Sequence, residues 1–280
     1  MLKRYIILHG TNKLMNSCWY ASQSMLQSTV DEKTGIVTMK MNNPPVNCIS
    51  LEFLNEINTQ INILQKDNNI RGMILTSGLK EVFCGGLDIT EFYKPNPDRL
   101  AGYLATLHDT WISLYMTSFP TVSVINGHSL GGGCLIAMGC DYRVMIGPNY
   151  TIGLNETKLG VVPPKWFQDT MFAVIGQRKA EVSMTTGKMY TTAEALKIGL
   201  VDESSTDIDS ALKKGTQFLN NFENISPWAY KTTKHISRQP TIQLLIDNKQ
   251  KDFDFVFKYM QTSMVQKSLG LYLKSLKKKR

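Results

Sequence analysis

The sequence predicts an α/β fold in one folded unit, with a core of alternating strands and helices followed by a helical C-terminal part. Strand-like and helix-like segments alternate up to about residue 160, and helical periodicity dominates from Pro164 onward. The 280 residues are 42% hydrophobic and 19% charged, which is enough apolar material for a sizeable core. This composition excludes a wholly disordered or collagenous chain. No segment approaches the roughly 18–20 consecutive apolar residues that span a bilayer, so we expect a soluble globular protein.

Hydrophobic periodicity assigns the elements in order along the chain. Alternating or fully apolar runs predict strands at 36–41, 73–76, 121–125, 142–146 and 150–152. Apolar residues at helical spacing predict helices from 51 to 64 behind the N-cap Ser50, from 98 to 116, and from Cys134. Beyond Pro164 the clearest helical segments are 192–198, 209–222, 229–236 and 252–273. We therefore predict a core from 29 to 205 and a C-terminal helical region from 206 to 280.

The basic charge of the chain lies at its two ends. The formal net charge is +8, yet residues 29–273 contain 23 basic and 23 acidic side chains. The last seven residues contribute five cations, and residues 1–28 contribute Lys3, Arg4 and Lys13 with no acid. A nucleic-acid-binding surface needs clustered cations, so the neutral body argues against one. A non-catalytic RNA-binding protein stays open as an alternative, on net charge alone.

Residues 1–28 have the composition of a mitochondrial transit peptide, because they combine scattered cations, four serines and apolar residues without an acid. A frayed terminus with accidental charge is the alternative. The five cysteines are odd in number and lack a C-x-x-C pair. They suggest free thiols in a reducing compartment, which the mitochondrial matrix fits. The four histidines are scattered without metal-ligand spacing, so we expect no metal.

Two glycine-rich loops carry candidate binding groups, and each follows a predicted strand, where α/β proteins commonly place their sites. In residues 83–89 (F-C-G-G-L-D-I), paired glycines let a ligand approach the backbone closely. Residues 131–133 are three glycines that open a helix, where unpaired N–H groups lie beside the positive end of the dipole. The Lys and Ser/Thr of a phosphate-binding P-loop do not follow. The N–H groups of Leu87 and Gly132 could instead converge on one oxyanion.

Glu156 is the candidate proton carrier, in a third loop at residues 153–160. Leu154 and Leu159 near it suggest a partly apolar setting, which would raise the pKa of the carboxyl group and suit it to moving protons. A solvated surface glutamate is the structural alternative. The glycine loops have ordinary explanations too, namely a tight turn and close helix packing.

Together the three loops resemble the crotonase (enoyl-CoA hydratase/isomerase) superfamily, and the resemblance runs from about residue 36 to 270. The segments F-C-G-G-L-D-I, I-N-G-H-S-L-G-G-G-C, C-D-Y-R-V and A-E-A-L-K-I-G-L-V-D occur in the family's order and spacing. Residues 45–47, 153–157 and 266–269 are most similar to the mitochondrial Δ3,Δ2-enoyl-CoA isomerases. The resemblance implies a crotonase-like spiral of ββα repeats with a C-terminal helical region that forms a homotrimer. It also implies an acyl-coenzyme A thioester as substrate and no separate cofactor.

The resemblance further implies roles for individual residues. Leu87 and Gly132 match the family's two oxyanion-hole amides, and Glu156 matches its second catalytic carboxylate. The substrate-binding positions that it implies are Gly85, Gly86, Leu87, Asp88, Ile89, Gly132 and Asn155.

Leu135 departs from the pattern of the family's hydratases, which carry at this position a glutamate that works with the second carboxylate on water. A leucine can neither activate nor orient that water. The resemblance therefore implies an isomerase that converts cis- or trans-3-enoyl-CoA to trans-2-enoyl-CoA in β-oxidation, with Glu156 as the proton carrier. An enoyl-CoA hydratase, another CoA-ester enzyme on the same fold, and an assembly subunit with a decayed site are the alternatives.

Overall fold

A computed structural model describes residues 3–6 and 24–278 of the chain. Its strands are β1 (Lys3–Ile6), β2 (Leu26–Asp31), β3 (Ile36–Met41), β4 (Gly72–Ser77), β5 (Glu81–Cys84), β6 (Thr121–Ile125), β7 (Gly127–Leu130), β8 (Tyr142–Ile146), β9 (Thr151–Gly153), β10 (Tyr190–Thr191) and β11 (Glu203–Ser205). Its α-helices are α1 (Leu51–Lys66), α2 (Pro97–Tyr115), α3 (Gly132–Gly139), α4 (Lys165–Ile175), α5 (Gln177–Thr186), α6 (Thr192–Ile198), α7 (Ile208–Asn220), α8 (Pro227–Met260) and α9 (Ser263–Lys278). Two short 3₁₀ turns cover Ile89–Glu91 and Glu156–Leu159. None of the helices described is long and apolar enough to cross a bilayer.

The strands form two sheets that the chain visits alternately. The larger sheet has the order β1-β2-β3-β4-β6-β8-β11 and the smaller one the order β10-β9-β7-β5. From β4 onward, each pair of strands places one strand in each sheet and is followed by a helix, in the turns β4–β5–α2, β6–β7–α3 and β8–β9–α4. Equivalent strands of successive turns pair in parallel. The spiral of ββα repeats that the family resemblance implies is therefore confirmed.

Elements with strong periodicity fall where the sequence predicts them. Ser50 caps α1 by accepting a hydrogen bond from the backbone N–H of Phe53, and the apolar face of α1 is buried against α2. The sequence does not predict β5 and β7, which are only four residues long. Neither E-V-F-C nor G-H-S-L is an alternating or fully apolar run, and parallel pairing with their neighbours defines the two strands instead.

The prediction of separate helices at 229–236 and 252–273 is wrong. Helix α8 runs unbroken through Pro240, and the break comes after Met260 instead. Proline lacks the N–H that would bond to the carbonyl of Ile236. The side chain of Ile236 is 68% exposed, so this face of α8 is open to water, which can solvate the freed carbonyl.

A buried ionic cluster fixes the first half of α8 to the core. Asp141, two residues after the end of α3, accepts hydrogen bonds from the Nζ of Lys234 at 2.9 Å and the hydroxyl of Tyr230 at 2.9 Å. Its other oxygen pairs with Arg238 at 2.8 Å. Because Asp141 is the partner of both cations, moving α8 away would leave uncompensated charges in a mostly buried place, and the cluster therefore holds α8 in one position.

Neither predicted domain boundary separates two independently packed parts of the structure. The boundary after residue 28 lies inside β2, which begins at the buried Leu26, and β1 pairs with β2 in antiparallel fashion. Most of the predicted transit peptide, residues 1–2 and 7–23, lies outside the described residues. The boundary after residue 205 separates α7 from the larger sheet, although Ala211 and Leu219 of α7 pack against that sheet.

Candidate active site

The three glycine- and glutamate-bearing loops meet because the strands before them are neighbours. Strands β5, β7 and β9 are adjacent and parallel in the smaller sheet. Their carboxyl ends therefore lie at the same edge, where open α/β sheets bind their ligands. Gly85 follows β5, Gly131 follows β7 and Asn155 follows β9 within two residues. Topology thus brings together segments that are up to 70 residues apart.

A cavity of about 80 Å³ lies where these loops meet. Of the residues predicted for the site, those that line it are Gly85, Gly86, Leu87, Ile89, Gly132, Asn155 and Glu156. The other lining residues are Phe92, Leu130, Gly131, Leu159, Val161, Met260, Leu269 and Tyr272. The cavity is therefore mainly apolar and contains one carboxyl group, that of Glu156.

The backbone N–H of Leu87 is directed away from the segment that pairs with it. Ile49 forms an isolated parallel bridge with Leu87, in which the N–H of Ile49 donates to the carbonyl of Gly86 at 2.9 Å. The N–H of Asp88 donates back to the carbonyl of Ile49 at 3.1 Å. Both bonds use the neighbours of Leu87, and the N–H groups of an extended chain alternate in direction. The amide of Leu87 is thus left to face the glycine run.

Gly132 supplies a second amide beside it. Helix α3 begins at Gly132, and the first helical bond of this turn runs from the N–H of Leu135 to the carbonyl of Gly131 at 3.0 Å. The N–H of Gly132 precedes that bond and so has no partner within the helix. A Cβ atom added at Gly132 would lie 3.1 Å from the nitrogen of Leu87. The two amides therefore adjoin one small space, as two donors to one oxyanion must.

Gly86 is required by the backbone at this point. Its φ of +95° is strained for any residue with a side chain, and a Cβ atom there would lie 2.7 Å from the carbonyl oxygen of Leu130. The paired glycines that the sequence singles out thus bring the loop after β5 against the loop after β7.

Glu156 begins a 3₁₀ turn and points its carboxyl group into the protein. Burial raises the pKa of this carboxyl from 4.5 to about 7. Its Oε2 atom has no hydrogen-bond partner among the described residues. A Cβ atom at Gly131 would lie 3.3 Å from its Oε1 atom, so the carboxyl group adjoins the glycine run. A buried carboxyl that titrates near neutral pH is suited to both accepting and returning a proton.

Asp88 lies beside the cavity but does not line it. Its Oδ1 atom accepts hydrogen bonds from the backbone N–H of Thr90 at 2.9 Å and from the hydroxyl of Thr90 at 2.7 Å. The side chain thereby caps the 3₁₀ turn that follows the first glycine loop. Its position gives it a role in shaping that loop, and its contact with a substrate stays a prediction.

Leu135 faces a second, smaller cavity of about 20 Å³ behind the two amides. This cavity shares Leu87 and Gly132 with the first one, and Leu135 is only 2% exposed. Two of its lining side chains carry polar atoms: Thr110, whose hydroxyl is already bonded to backbone carbonyls, and Trp111, whose buried indole N–H has no partner among the described residues. Among the residues lining the two cavities, Glu156 is thus the sole carboxylate.

Sequence reasoning missed the wall that the C-terminal helices contribute. Met260 at the end of α8 and Leu269 and Tyr272 on α9 line the larger cavity. Val265, Leu269 and Tyr272 do recur at helical spacing in the sequence. Such a pattern shows that a helix buries one face, but it does not say which element that face covers.

Comparison with known proteins gives consistent matches over most of the chain. Residues 31–279 match the family described as Enoyl-CoA hydratase/isomerase. The chain is 40% identical to enoyl-CoA delta isomerase 1, mitochondrial, of Mus musculus, with 93% of this chain and 90% of that protein covered. It is 37% identical to the Homo sapiens protein of the same name, with 93% of this chain and 86% of that protein covered.

Solved structures agree with this. The crystal structure of human mitochondrial delta3-delta2-enoyl-CoA isomerase matches with a TM-score of 0.89 and 36% identity, over 92% of this chain and 100% of that one. An enoyl-CoA hydratase from Bacillus halodurans matches with a TM-score of 0.81 at 18% identity, over 89% of this chain and 100% of that one. The second match shows the fold alone, so the reaction must be argued from the residues of the site.

Proposed function

The chain belongs to the enoyl-CoA hydratase/isomerase family, and from this premise we propose that it is a Δ3,Δ2-enoyl-CoA isomerase of fatty-acid β-oxidation. It converts cis- or trans-3-enoyl-CoA to trans-2-enoyl-CoA. The observation that carries this choice within the family is the single carboxylate, Glu156, at a site where Leu135 fills the second position with an apolar side chain. One base and two amides suffice to move a proton, whereas hydration needs a group that holds and activates water.

The first step is removal of a proton from C2 of the substrate. This carbon lies between the thioester carbonyl and the alkene. Its deprotonation therefore gives a dienolate, in which the negative charge is spread over the conjugated atoms of the acyl group. The carboxylate of Glu156 accepts the proton, and the N–H groups of Leu87 and Gly132 donate to the thioester oxygen as its negative charge grows. These donors are held by the backbone before substrate arrives, so they need no reorganisation during the step.

In the second step, Glu156 returns the proton to C4, and the double bond moves into conjugation with the thioester. One base serves both carbons when they present the same face of the substrate within hydrogen-bond reach. The reaction moves one proton and leaves the oxidation level unchanged, so it calls for no redox cofactor, and the coenzyme A belongs to the substrate. The apolar lining keeps water from the dienolate.

The direct test is an ultraviolet assay of the purified full-length chain with trans-3-hexenoyl-CoA, with hydration of crotonyl-CoA measured in parallel. We expect formation of the conjugated 2-enoyl thioester and hydration slower by about 10²-fold or more, the scale of losing one general acid–base group. Hydration at a rate comparable with isomerisation would assign the chain to the hydratases. Binding of the thioester without either reaction would leave the fold assignment in place and remove the proposed activity.

Isomerisation should depend on pH through Glu156. The carboxyl group must be ionised to accept the C2 proton, and burial raises its pKa to about 7. We therefore expect kcat/KM to rise with a midpoint near pH 7 and to be about a hundredfold lower near pH 5 than at its plateau. Initial rates between about pH 5 and 9 at low substrate concentration measure this. A midpoint near the ordinary pKa of glutamate would contradict the buried base.

We also propose a homotrimer assembled through the C-terminal helical region, and a location in the mitochondrial matrix. The trimer is supported by the family resemblance and by large apolar side chains exposed on α8, among them Leu244 and Phe255. The location is supported by the acid-free residues 1–28, our transit-peptide proposal, and by the mitochondrial names of the mouse and human relatives.

A further inference from the structure

Helix α9 closes the candidate active site from outside. Its Leu269 is fully buried and its Tyr272 is half-buried, and both line the cavity that contains Glu156. Only Gln261 and Thr262 separate α9 from α8. This short link fixes where α9 begins, and side-chain contacts further along the helix determine the direction in which it runs.

The amide group of Gln266 makes three such contacts with two other segments. Its Nε2 donates to the carbonyl of Phe92 at 2.8 Å and to the carbonyl of Met260 at 2.6 Å. Its Oε1 accepts from the backbone N–H of Lys94 at 2.7 Å. Phe92 and Met260 themselves line the cavity, and Leu269 is one helical turn beyond Gln266. This one side chain therefore joins three parts of the cavity wall.

The segment that contacts Gln266 through Phe92 and Lys94 is also attached to two helices through Glu91. Glu91 accepts a hydrogen bond from the backbone N–H of Leu51 at the start of α1, at 3.1 Å. It also pairs with Arg99 of α2 at 2.7 Å. Residues 89–91 thus stay attached to α1 and α2 when Gln266 is changed. The partner that loses these hydrogen bonds is α9, which then depends on apolar contacts such as those of the buried Val265 and Leu269.

We infer that Gln266 is a positioning residue that holds α9 against the active site through the carbonyls of Phe92 and Met260 and the N–H of Lys94. It lies outside the cavity lining and acts through Leu269 and Tyr272, which close the cavity over the acyl thioester. The inference rests on the proposed function for its kinetic consequence, and on the contacts of α9 alone for its structural one.

The test replaces Gln266 with leucine and, separately, with glutamate. Leucine removes all three hydrogen bonds, and the isosteric glutamate, ionised at pH 8, cannot donate to either carbonyl. Because Glu156 and the two amides are untouched, we expect KM for trans-3-hexenoyl-CoA to rise about tenfold or more while kcat changes less than about threefold. Amide hydrogen exchange over residues 263–278 of the free protein is expected to speed up about tenfold or more.

Gln261→Leu is the matched control, since Gln261 lies on the exposed link and its side chain makes one hydrogen bond among the described residues, to the carbonyl of Phe257 at 3.0 Å. It should keep the KM and the exchange rate of the parent chain. Parent-like KM and exchange in either Gln266 variant, or a fall in kcat alone, would overturn the inference. If Gln266→Leu fails to fold, Gln266→Glu decides.

The experiment separates this inference from the proposed function. Hydrogen exchange and calorimetric binding of hexanoyl-CoA, which cannot isomerise, report on α9 in a chain without isomerase activity. Faster exchange and binding weakened about tenfold would support Gln266 even there. Unchanged exchange and binding would overturn it whether or not the enzyme turns over.

Discussion

Glu156→Gln is expected to lower kcat for isomerisation by about 10²–10⁴-fold, the range that a positioned general acid–base group contributes. Glutamine keeps the shape of the side chain, so the cavity and the two amides are preserved, but a neutral amide cannot accept the C2 proton. Binding of an acyl-CoA should survive, because the rest of the lining is unchanged. Steady-state rates with trans-3-hexenoyl-CoA and calorimetric titration with hexanoyl-CoA measure the two quantities separately.

The same substitution should make the protein more stable at alkaline pH, which excludes unfolding as the cause of the lost activity. Burial raises the pKa of the Glu156 carboxyl from 4.5 to about 7, so between these values the folded state binds more protons than the unfolded state. The parent chain therefore loses stability as the pH rises through this window, and glutamine removes that loss. At pH 8 we expect the free energy of unfolding in urea to increase by about 3 kcal/mol.

Glu181→Gln serves as the control, because Glu181 is an exposed side chain of α5 whose one ion pair among the described residues is with Arg178, one turn away. Both its activity and its stability should match the parent chain, since exposed pairs contribute little. Turnover by Glu156→Gln at the parent rate would remove Glu156 as the base. An unfolding free energy that fell at pH 8 would mean that the carboxyl group is not buried as described.

The sequence and the structure agree best where short-range chemistry decides the outcome. The N-cap at Ser50, the apolar face of α1 and the strand at 36–41 each depend on neighbours within a few residues. Three loops that belong to one site can be identified from their motifs and order, without knowing the geometry that brings them together. That geometry comes from β5 and β7, which are not predictable because neither is an alternating or fully apolar run.

Long-range packing determines the features that the sequence does not predict. The continuity of α8 through Pro240 depends on anchors such as Asp141, about 100 residues earlier in the chain. The wall formed by Leu269 and Tyr272 depends on where α9 docks, and Gln266 bonds to the carbonyl of Phe92, 174 residues earlier in the chain. Hydrophobic periodicity indicates that one face of a helix is buried, but it does not identify the element that covers this face. These contacts could therefore be found only in the folded chain.

Gly132→Ala is expected to lower kcat by about 10²–10³-fold, the cost of losing one oxyanion donor. The added methyl group would lie 2.7 Å from the Cδ2 atom of Leu87 and 3.1 Å from the Leu87 nitrogen. Even if the leucine side chain moves aside, the methyl group fills the space in which both amides would meet the thioester oxygen. Single-turnover rates with trans-3-hexenoyl-CoA isolate the chemical step from binding and product release.

Gly102→Ala is the matched control, because Gly102 lies on the exposed face of α2, where an added methyl group would meet nothing within 4 Å beyond its chain neighbours and the backbone of its own helix. Its rate should be that of the parent chain, and its free energy of unfolding should rise by about 0.5–1 kcal/mol, since alanine favours the helix. If Gly132→Ala folds and turns over as fast as Gly102→Ala, the space between Leu87 and Gly132 does not hold the oxyanion. A slower rate in Gly132→Ala alone would mean that the reaction depends on stabilising the negative charge of the thioester oxygen as well as on removing the proton.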